Sequence, residues 1–183
     1  MFMIIILIVI VLIVLYAISM YNSLIRMRNT VDKEWKNIDV QLERRYALIP
    51  NLVETVKGYA KHEQDTLTKI AQLRSAAMST TNVAEKAQFD NQLTAALSGL
   101  RVSLEAYPDL KANQNFLQLQ EELTSTENKI SFSRHLYNDV VTTYNTKIQV
   151  FPSNIMANMF GFKEKDLFEV STPEARTAPK VSF

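Results

Sequence analysis

An unbroken run of apolar residues at the N-terminus limits what this chain can fold into more than any other feature. Residues 1–18 are all apolar, and the first charged side chain is Arg26. Because an α-helix rises ~1.5 Å per residue and the hydrocarbon core of a bilayer is ~30 Å thick, about 20 apolar residues are needed to cross it. Tyr16 and Tyr21 stand near the end of the run, where aromatic rings favour the membrane interface. We therefore predict a transmembrane anchor over residues 1–21.

Two other interpretations of the run agree less well with the sequence. A cleaved signal peptide would begin with basic residues and end at small ones. This chain begins Met-Phe-Met and has no Ala-x-Ala pattern after Ile18. A buried core helix is also possible, but one this uniformly apolar is rare in a small soluble protein. The anchor is therefore expected to be retained.

Positive charge follows the apolar run and does not precede it. Arg26, Arg28, Lys33 and Lys36 come soon after the run, with only the α-amino group before it. Cytoplasmic flanks of membrane spans are enriched in Lys and Arg. We expect a single pass through a bacterial inner membrane, with the N-terminus outside and the helical domain in the cytoplasm.

The remaining composition favours long helices. Among 183 residues there are three glycines and five prolines, too few for the turns of a sheet-rich fold. The absence of cysteine excludes disulfides, thiolate metal sites and a cysteine nucleophile. The formal net charge of +1 creates no field of one sign, so no nucleic-acid partner is expected.

Apolar residues at steps of three and four continue beyond the anchor, as on the buried face of a packed helix. Arg28 and Arg45 interrupt this stripe at positions that would face inward. Pro50 removes a backbone donor, so we predict a turn there and a second helix over residues 51–78. A continuous helix kinked at Pro50 is the alternative, because the stripe stays in phase beyond it. The stripe consists of Leu24, Val31, Trp35, Ile38, Leu42 and Ile49, then Leu52, Val56, Glu63, Leu67 and Ile70.

Two further helices are expected. Asn82 can cap the third, with Glu85 as its capping-box partner, and the third helix ends near Pro108. The fourth carries a heptad pattern typical of a coiled coil and ends at Pro152. Its first seam consists of Phe116, Leu123, Ile130, Tyr137, Tyr144 and Phe151, and its second of Leu119, Thr126, Ser133 and Val140.

Four helices with short connections predict an all-α fold, in which the transmembrane helix continues into an antiparallel four-helix bundle. The bundle should occupy residues 22–151. A short C-terminal helix or extension, capped by Gly161, follows over residues 152–170. Residues 171–183, rich in Pro, Thr and Lys, are predicted to be disordered.

No arrangement of residues in the sequence indicates catalysis. His62 and His135 lack the partner three or four residues away that a helix-borne metal site needs, and both are interpreted as surface or hydrogen-bonded residues. Neither a phosphate-binding glycine loop nor a Gly-x-Ser-x-Gly motif occurs. We therefore predict no catalytic, cofactor-binding or metal-binding residues, no cofactor, and a protein that is not an enzyme.

Polar residues near the predicted seams are the remaining candidates for function. Such residues either specify helix register, at a cost in stability, or line a binding crevice. The dipeptide Tyr-Asn also occurs three times, at residues 21–22, 137–138 and 144–145. The seam candidates are Arg44 and Arg45 after Asp39, and Glu127 and Asn128 before Arg134.

Several motifs are more specific than helix patterning requires. They are Trp35, Ile38 to Leu42, Arg44-Arg45, Leu48 to Ala60, His62-Glu63, Tyr107 to Asn113, Thr126 to Ile130, Arg134, Tyr137-Asn138 and Tyr144-Asn145. Together they resemble the LemA family over roughly residues 16–170. The resemblance implies an N-terminal anchor, an elongated, bromodomain-like four-helix bundle in the cytoplasm, and no catalytic residues.

Two functional hypotheses follow. The first is a non-enzymatic scaffold or interaction protein at the bacterial membrane that forms a homo-oligomer. The anchor has no Gly-x-x-x-Gly face, so this self-association would use the soluble helices. The second is an adaptor or regulatory subunit that binds a distinct membrane protein in envelope stress or proteolysis. Its contact would lie in Phe160 to Val170 or near Arg134. In both hypotheses the lipid bilayer is a partner.

Overall fold

The computed structural model describes residues 1–169, and every regular element in that range is helical, as the all-α prediction requires. The chain forms two compact units. The first contains Met1–Ile38 and Ser133–Leu167. Among the described residues, the second contains Asp39–Phe132 together with Phe168 and Glu169.

Six α-helices and two short 3-10 turns make up the described chain. The helices are α1 (Phe2–Lys57), α2 (Gln64–Ser79), α3 (Val83–Ser103), α4 (Pro108–Lys111), α5 (Gln114–Gln149) and α6 (Ser153–Met159), and the 3-10 turns are Lys61–Glu63 and Leu104–Ala106. The predicted tail over residues 171–183 lies outside the described residues. The predicted bundle boundaries at residues 22 and 151 stay a prediction.

The first unit consists of the N-terminal part of α1, the C-terminal part of α5, α6 and the extended residues 162–167. Residues 2–16 of α1 are exposed along their whole length, and Met20 is the first buried side chain. From there onward the predicted apolar stripe faces the interior. The apolar core is Met20, Leu24, Val31 and Ile38 from α1, Tyr137, Val141, Tyr144 and Ile148 from α5, and Ala157 from α6.

The second unit is built from the C-terminal part of α1, all of α2, α3 and α4, and the N-terminal part of α5. These segments share an apolar core that supplies most of the driving force for folding, because a helix in water is stabilised mainly by burial of one face. The core includes Leu42, Tyr46, Ile49, Leu52 and Val56 from α1, Leu67, Ile70 and Leu73 from α2, Leu93 and Leu100 from α3, Leu110 from α4, and Phe116 and Ile130 from α5.

The predicted turn at Pro50 is wrong, and so is the predicted start of the second helix at residue 51. Pro50 lies inside α1, which continues to Lys57, and α2 begins only at Gln64. The continuous helix is favoured because it keeps the stripe in phase, so that Leu52 and Val56 are both buried. A turn at Pro50 would have taken these two side chains out of the interior.

A hydrogen bond from α2 compensates for the donor that Pro50 lacks. In an α-helix the N–H of residue 50 would donate to the carbonyl of Tyr46, and proline has no N–H. The Nε–H of Arg74 donates to that Tyr46 carbonyl at 2.7 Å. The acceptor is therefore satisfied from a neighbouring helix, which removes one main penalty of proline inside a helix.

The predicted cap of the third helix is confirmed. The Asn82 side-chain oxygen accepts a hydrogen bond from the Glu85 N–H at 3.0 Å, and α3 starts at Val83. The Glu85 carboxylate accepts from the Thr80 hydroxyl at 2.7 Å, and that hydroxyl oxygen accepts from the Asn82 N–H at 3.2 Å. The Thr80 hydroxyl therefore stands between the Asn82 N–H and the Glu85 carboxylate, which would contact each other directly in a simple capping box.

The heptad seam of α5 ends earlier than predicted. Phe116, Ile130, Tyr137 and Tyr144 are buried as expected, whereas Phe151 is 79% exposed. The reason is that α5 ends at Gln149, so Phe151 is not carried on the helix face that the spacing assumed. The predicted coiled-coil character of this helix stays a prediction.

Substitution of Arg74 should measure the value of the hydrogen bond to Tyr46. We expect Arg74→Ala to lower the free energy of unfolding of the detergent-solubilised protein by about 1–3 kcal/mol, because a partly buried carbonyl loses its partner. In a Pro50→Ala background the residue-50 N–H serves that carbonyl, so the same substitution should cost about 0.5 kcal/mol or less. Denaturant unfolding followed by circular dichroism gives both values.

The matched control for that measurement is Lys69→Ala, at an exposed position of α2. It should change stability equally in both backgrounds. An Arg74→Ala cost that is the same with and without Pro50 would contradict the compensation.

Candidate functional site

A buried ion pair occupies the second unit. The Arg45 guanidinium donates to Asp90 at 3.1 Å and to the Thr94 hydroxyl at 2.8 Å. The side chains of Arg45 and Asp90 are 3% and 5% exposed. Charges removed from water to this degree are stable only when paired and hydrogen-bonded, so α1 and α3 are held in one register at this point.

Two further pairs extend the ionic contacts of α1. Lys86 of α3, which is buried, donates to Asp39 at 2.7 Å. Arg44 donates to Glu122 of α5 at 2.6 Å, but both of these side chains are about half exposed. The predicted polar candidates on α1 therefore do form networks, each with a residue that the sequence analysis did not single out. The signal that could have found Lys86 and Asp90 is their phase with Leu93 on the buried face of α3.

A crevice lies beside the buried pair. Its cavity volume is about 70 Å³, and Arg45 lines it together with Arg101, Gln120 and Glu127. The Arg45 Nε is buried and has no hydrogen-bond partner in the protein. The space is large enough for ordered water and far smaller than a typical small-molecule site of about 300 Å³ or more. Of the other predicted candidates, Asn128 is exposed and Arg134 belongs to the first unit.

The Tyr46 hydroxyl is a second buried polar group in this unit without a hydrogen-bond partner. Burial, followed by the nearby Asp90 carboxylate, raises the pKa of Tyr46 well above its ordinary value. The phenol is therefore neutral throughout the physiological range and cannot serve as a base there.

An extended segment in the first unit, the strap (residues 162–167), is held by the side chains of α5. Tyr144 donates to the Lys163 carbonyl at 3.0 Å, and Tyr137 donates to the Asp166 carbonyl at 2.8 Å. Asn145 donates to the Lys165 carbonyl and accepts from the Lys165 N–H, both at 2.9 Å. This arrangement explains why tyrosine recurs seven residues later on α5.

Burial and charge keep the two α5 tyrosines that hold the strap protonated. Burial, followed by the Asp166 and Asp32 carboxylates, raises the pKa of Tyr137 to about 12. Burial also raises the pKa of Tyr144. A phenol that keeps its proton remains a hydrogen-bond donor, so the attachment of the strap persists across the physiological pH range.

An aromatic collar, formed by Tyr21, Phe160 and Phe162, closes the first unit at the end of the apolar run. The ring centroids of Tyr21 and Phe160 are 4.7 Å apart, and those of Tyr21 and Phe162 are 5.9 Å apart. The Arg28 guanidinium lies 5.4 Å from the centre of the Phe162 ring, a cation–π geometry. The expectation that Arg28 occupies an inward-facing position is wrong: its side chain is exposed and lies against this aromatic face.

Gly161 forms the turn between Phe160 and Phe162, the two phenylalanines of the collar. It has a φ of 69°, which glycine adopts without the steric penalty of a side chain. The Phe162 N–H donates to the Ala157 carbonyl at 2.9 Å, and the Gly161 N–H donates to the Asn158 carbonyl at 3.4 Å. These are the two bonds of a Schellman motif, so the predicted glycine cap is confirmed.

The sequence predicted no group of catalytic or metal-binding side chains. Residues 1–169 contain no group of three or more His, Asp or Glu side chains that could hold a metal ion. His62 and His135 are both exposed. The prediction that the chain has no catalytic, cofactor-binding or metal-binding residues stays a prediction.

Within the described residues, α1 is the one helix that is long and apolar enough to cross a membrane. Its most apolar 18-residue stretch is not buried anywhere in the protein. The apolar length predicted from the sequence is therefore available to a bilayer.

The amino-acid sequence is similar to that of the LemA family. The LemA family profile matches residues 34–183. A protein of Metamycoplasma hominis named Protein LemA is 30% identical over 155 residues, an alignment that covers 84% of this chain and 70% of the relative.

More distant similarity connects the chain to magnetosome proteins. Magnetosome protein MamQ 2 of Paramagnetospirillum magneticum is 22% identical over 175 residues, which cover 81% of this chain and 64% of the relative. Magnetosome protein MamQ of Magnetospirillum gryphiswaldense is 22% identical over 174 residues, with the same coverage. The chain thus spans slightly less than two thirds of these magnetosome proteins.

Removal of one partner from the buried pair should cost far more stability than removal of one partner from the exposed pair. We expect Arg45→Ala and Asp90→Ala each to lower the free energy of unfolding by about 3–5 kcal/mol, because each leaves a buried charge without its partner. The double variant should cost less than the sum of the two. Denaturant unfolding of the full-length protein in detergent provides the three values.

Arg44→Ala and Glu122→Ala are the matched controls, since Arg44 adjoins Arg45 on the same helix. Each should cost about 1 kcal/mol or less, as is typical of exposed pairs. Equal costs for the buried and exposed pairs would contradict the assignment of Arg45 and Asp90 as the register-setting contact.

Proposed function

Because the chain belongs to the LemA family, we propose that it is a non-enzymatic, single-pass membrane protein that acts as a self-associating helical scaffold. Its first 21 residues would span a bacterial inner membrane. The helical domain would lie in the cytoplasm and present helix faces to further copies of the chain. The relatives named for the magnetosome support a membrane association of this kind.

One observation carries the proposal: the helix α1 changes from fully exposed to packed without a break. Residues 2–16 are apolar and exposed. From Met20 onward, one face of the same helix is buried in the core of the protein. About 15 exposed apolar residues in a row would be strongly unfavourable in water and favourable in lipid. The helix thus joins a membrane span to a folded domain with no flexible link between them.

The buried polar groups support a role without catalysis. Arg45 and Asp90 are occupied with each other, and the adjacent cavity of about 70 Å³ is too small for an organic substrate. The hydrogen bonds from Arg45 to Asp90 and Thr94 are thus consistent with a role in helix register.

The charge next to the span supports the orientation. Arg26 and Arg28 are exposed and follow Met20 by six and eight residues, about two helical turns. Cationic side chains in that position favour the cytoplasmic side. The first acidic residue, Asp32, comes later in α1 and forms an ion pair with Lys165 at 3.0 Å.

Exposed apolar side chains on the soluble helices support self-association. Val40 of α1 and Val102 of α3 are 63% and 73% exposed, and Phe132 of α5 is 72% exposed. Isolated exposed apolar residues are common, but large ones on helices of a scaffold provide contact points for a second helix face.

The alternative function is an adaptor that binds a distinct membrane protein through the segment that begins at Phe160. The observation in its favour is that Phe160 is 52% exposed although its ring also contacts Tyr21. It differs from the scaffold in its stoichiometry: one copy of this chain would pair with one copy of another protein.

Labelling of single cysteines should report the orientation, because the natural chain has no cysteine. We expect Val102→Cys in intact bacterial cells to resist a membrane-impermeant maleimide and to react once the inner membrane is permeabilised. The matched control, Phe2→Cys at the other end of the span, should react in intact cells. Labelling in the reverse order would overturn the orientation.

Counting of fluorophores should test self-association. We expect particles of native lipid that contain dye-labelled Lys69→Cys protein, with the dye at an exposed polar position of α2, to bleach in two or more steps. The control is the same preparation diluted with excess lipid before particle formation, which separates copies that share a particle by chance. A single step in both preparations would overturn the scaffold, and a single step with a stoichiometric second protein would identify the adaptor.

A further inference from the structure

The helix α6 has its large apolar side chains on the outside. Ser153 and Ala157, four residues apart, are each 1% exposed and face the interior of the first unit. Ile155 and Met159, also four residues apart, are 55% and 65% exposed. Since residues four apart share a helix face and residues two apart lie on nearly opposite faces, α6 shows its apolar side to the surroundings.

The apolar surface continues beyond the helix itself. Val150 and Phe151 before α6 and Phe160 after it are 44%, 79% and 52% exposed. No charged residue lies between Lys147 and Lys163. A contiguous exposed apolar surface flanked by polar residues marks a contact with a membrane or another protein.

The position of α6 favours the membrane. Phe160, at the end of α6, stacks on Tyr21 with 4.7 Å between ring centroids, and Tyr21 directly follows the apolar run. The helix from Phe2 to Met20 is about 27 Å long at ~1.5 Å per residue, close to the ~30 Å of a hydrocarbon core. The collar, and α6 with it, therefore stands where the span leaves the lipid.

Several basic residues lie in the segments that adjoin the collar and α6, with the exposed Glu164 beside Lys163. Arg26, Arg28 and Lys163 are exposed, and Lys147 is half-exposed. The ammonium and guanidinium groups are complementary to anionic lipid headgroups. Apolar side chains flanked by cations are the two features that hold a helix in the plane of a membrane interface.

We propose that α6 is an interfacial helix that inserts Phe151, Ile155 and Met159 into the bilayer that α1 spans. The proposal rests on the membrane anchor of the proposed function. The first unit then has a second point of attachment to the same bilayer, through side chains that approach it from the C-terminal part of the chain. The occupant of this surface is lipid, because Phe160 at the end of α6 stacks on Tyr21, which directly follows the apolar run of the span.

Fluorescence quenching can place α6 relative to the lipid. Single cysteines at Ile155 and Met159, introduced into the full chain and labelled with bimane, would be studied at one copy per nanodisc of phosphatidylcholine and phosphatidylglycerol. Nitroxide attached near the top of the acyl chains is the quencher. We expect at least about a twofold loss of fluorescence at both positions, as for side chains at the acyl boundary. Val102→Cys, an exposed apolar position of the second unit, is the matched control and should lose little.

A label at Ile8, inside the span, separates failure of this inference from failure of the anchor. Quenching at Ile8 with none at Ile155 and Met159 would overturn the interfacial helix and leave the anchor in place. No quenching at any of the three would overturn both. Quenching that appears only when several copies share a nanodisc would mean that a second copy covers α6, and would also overturn the inference.

A second variant protects the test against misfolding. With the label at Phe151→Cys, the substitutions Ile155→Ser and Met159→Ser remove apolar groups from the outer face and leave Ser153 and Ala157 unchanged. We expect quenching at residue 151 to fall toward the value of the Val102 control, with an unchanged circular dichroism spectrum. Quenching that is insensitive to both substitutions would contradict the insertion of this face.

Discussion

The hydrogen bond from Arg74 to the Tyr46 carbonyl allows α1 to pass through Pro50, and the rest of the second unit depends on that continuity. A helix that ended at Pro50 would not carry Leu52 and Val56 into the core shared with α2, α3 and α5. It would also shorten the helix that presents Arg45 to Asp90. One guanidinium thus replaces a missing backbone donor and keeps a whole helix face in phase, because buried acceptors are costly when unpaired.

The helices were largely predictable and the connections were not. Burial of the α1 stripe and the Asn82 cap could be derived from the sequence, because periodicity and capping are local properties. The behaviour of Pro50 could not, because its compensating donor lies 28 residues away from the carbonyl it serves. The error at Phe151 has a related origin. The seven-residue spacing predicts a shared face only within one helix, and α5 ends at Gln149, before Phe151.

The candidate site shows the same division. Arg45 was identifiable as a polar residue on an apolar stripe, but its partner Asp90 carries no signal by itself except its phase on α3. The strap was not predictable, since Tyr137 and Tyr144 bind backbone carbonyls and a carbonyl has no signature in the sequence. The sequence showed the two tyrosines and Asn145, but not the carbonyls that they bind.

The strap is held in position through its backbone, so its position does not depend on which side chains it carries. The tyrosines of α5 hold the peptide groups of Lys163 and Asp166, while the side chains of these two residues are exposed. An exchange of either side chain would leave these hydrogen bonds intact, because every residue type has a backbone carbonyl. Relatives with the same fold are therefore free to evolve a different pattern of charge along this surface, and could acquire different binding preferences without rebuilding the helices beneath it.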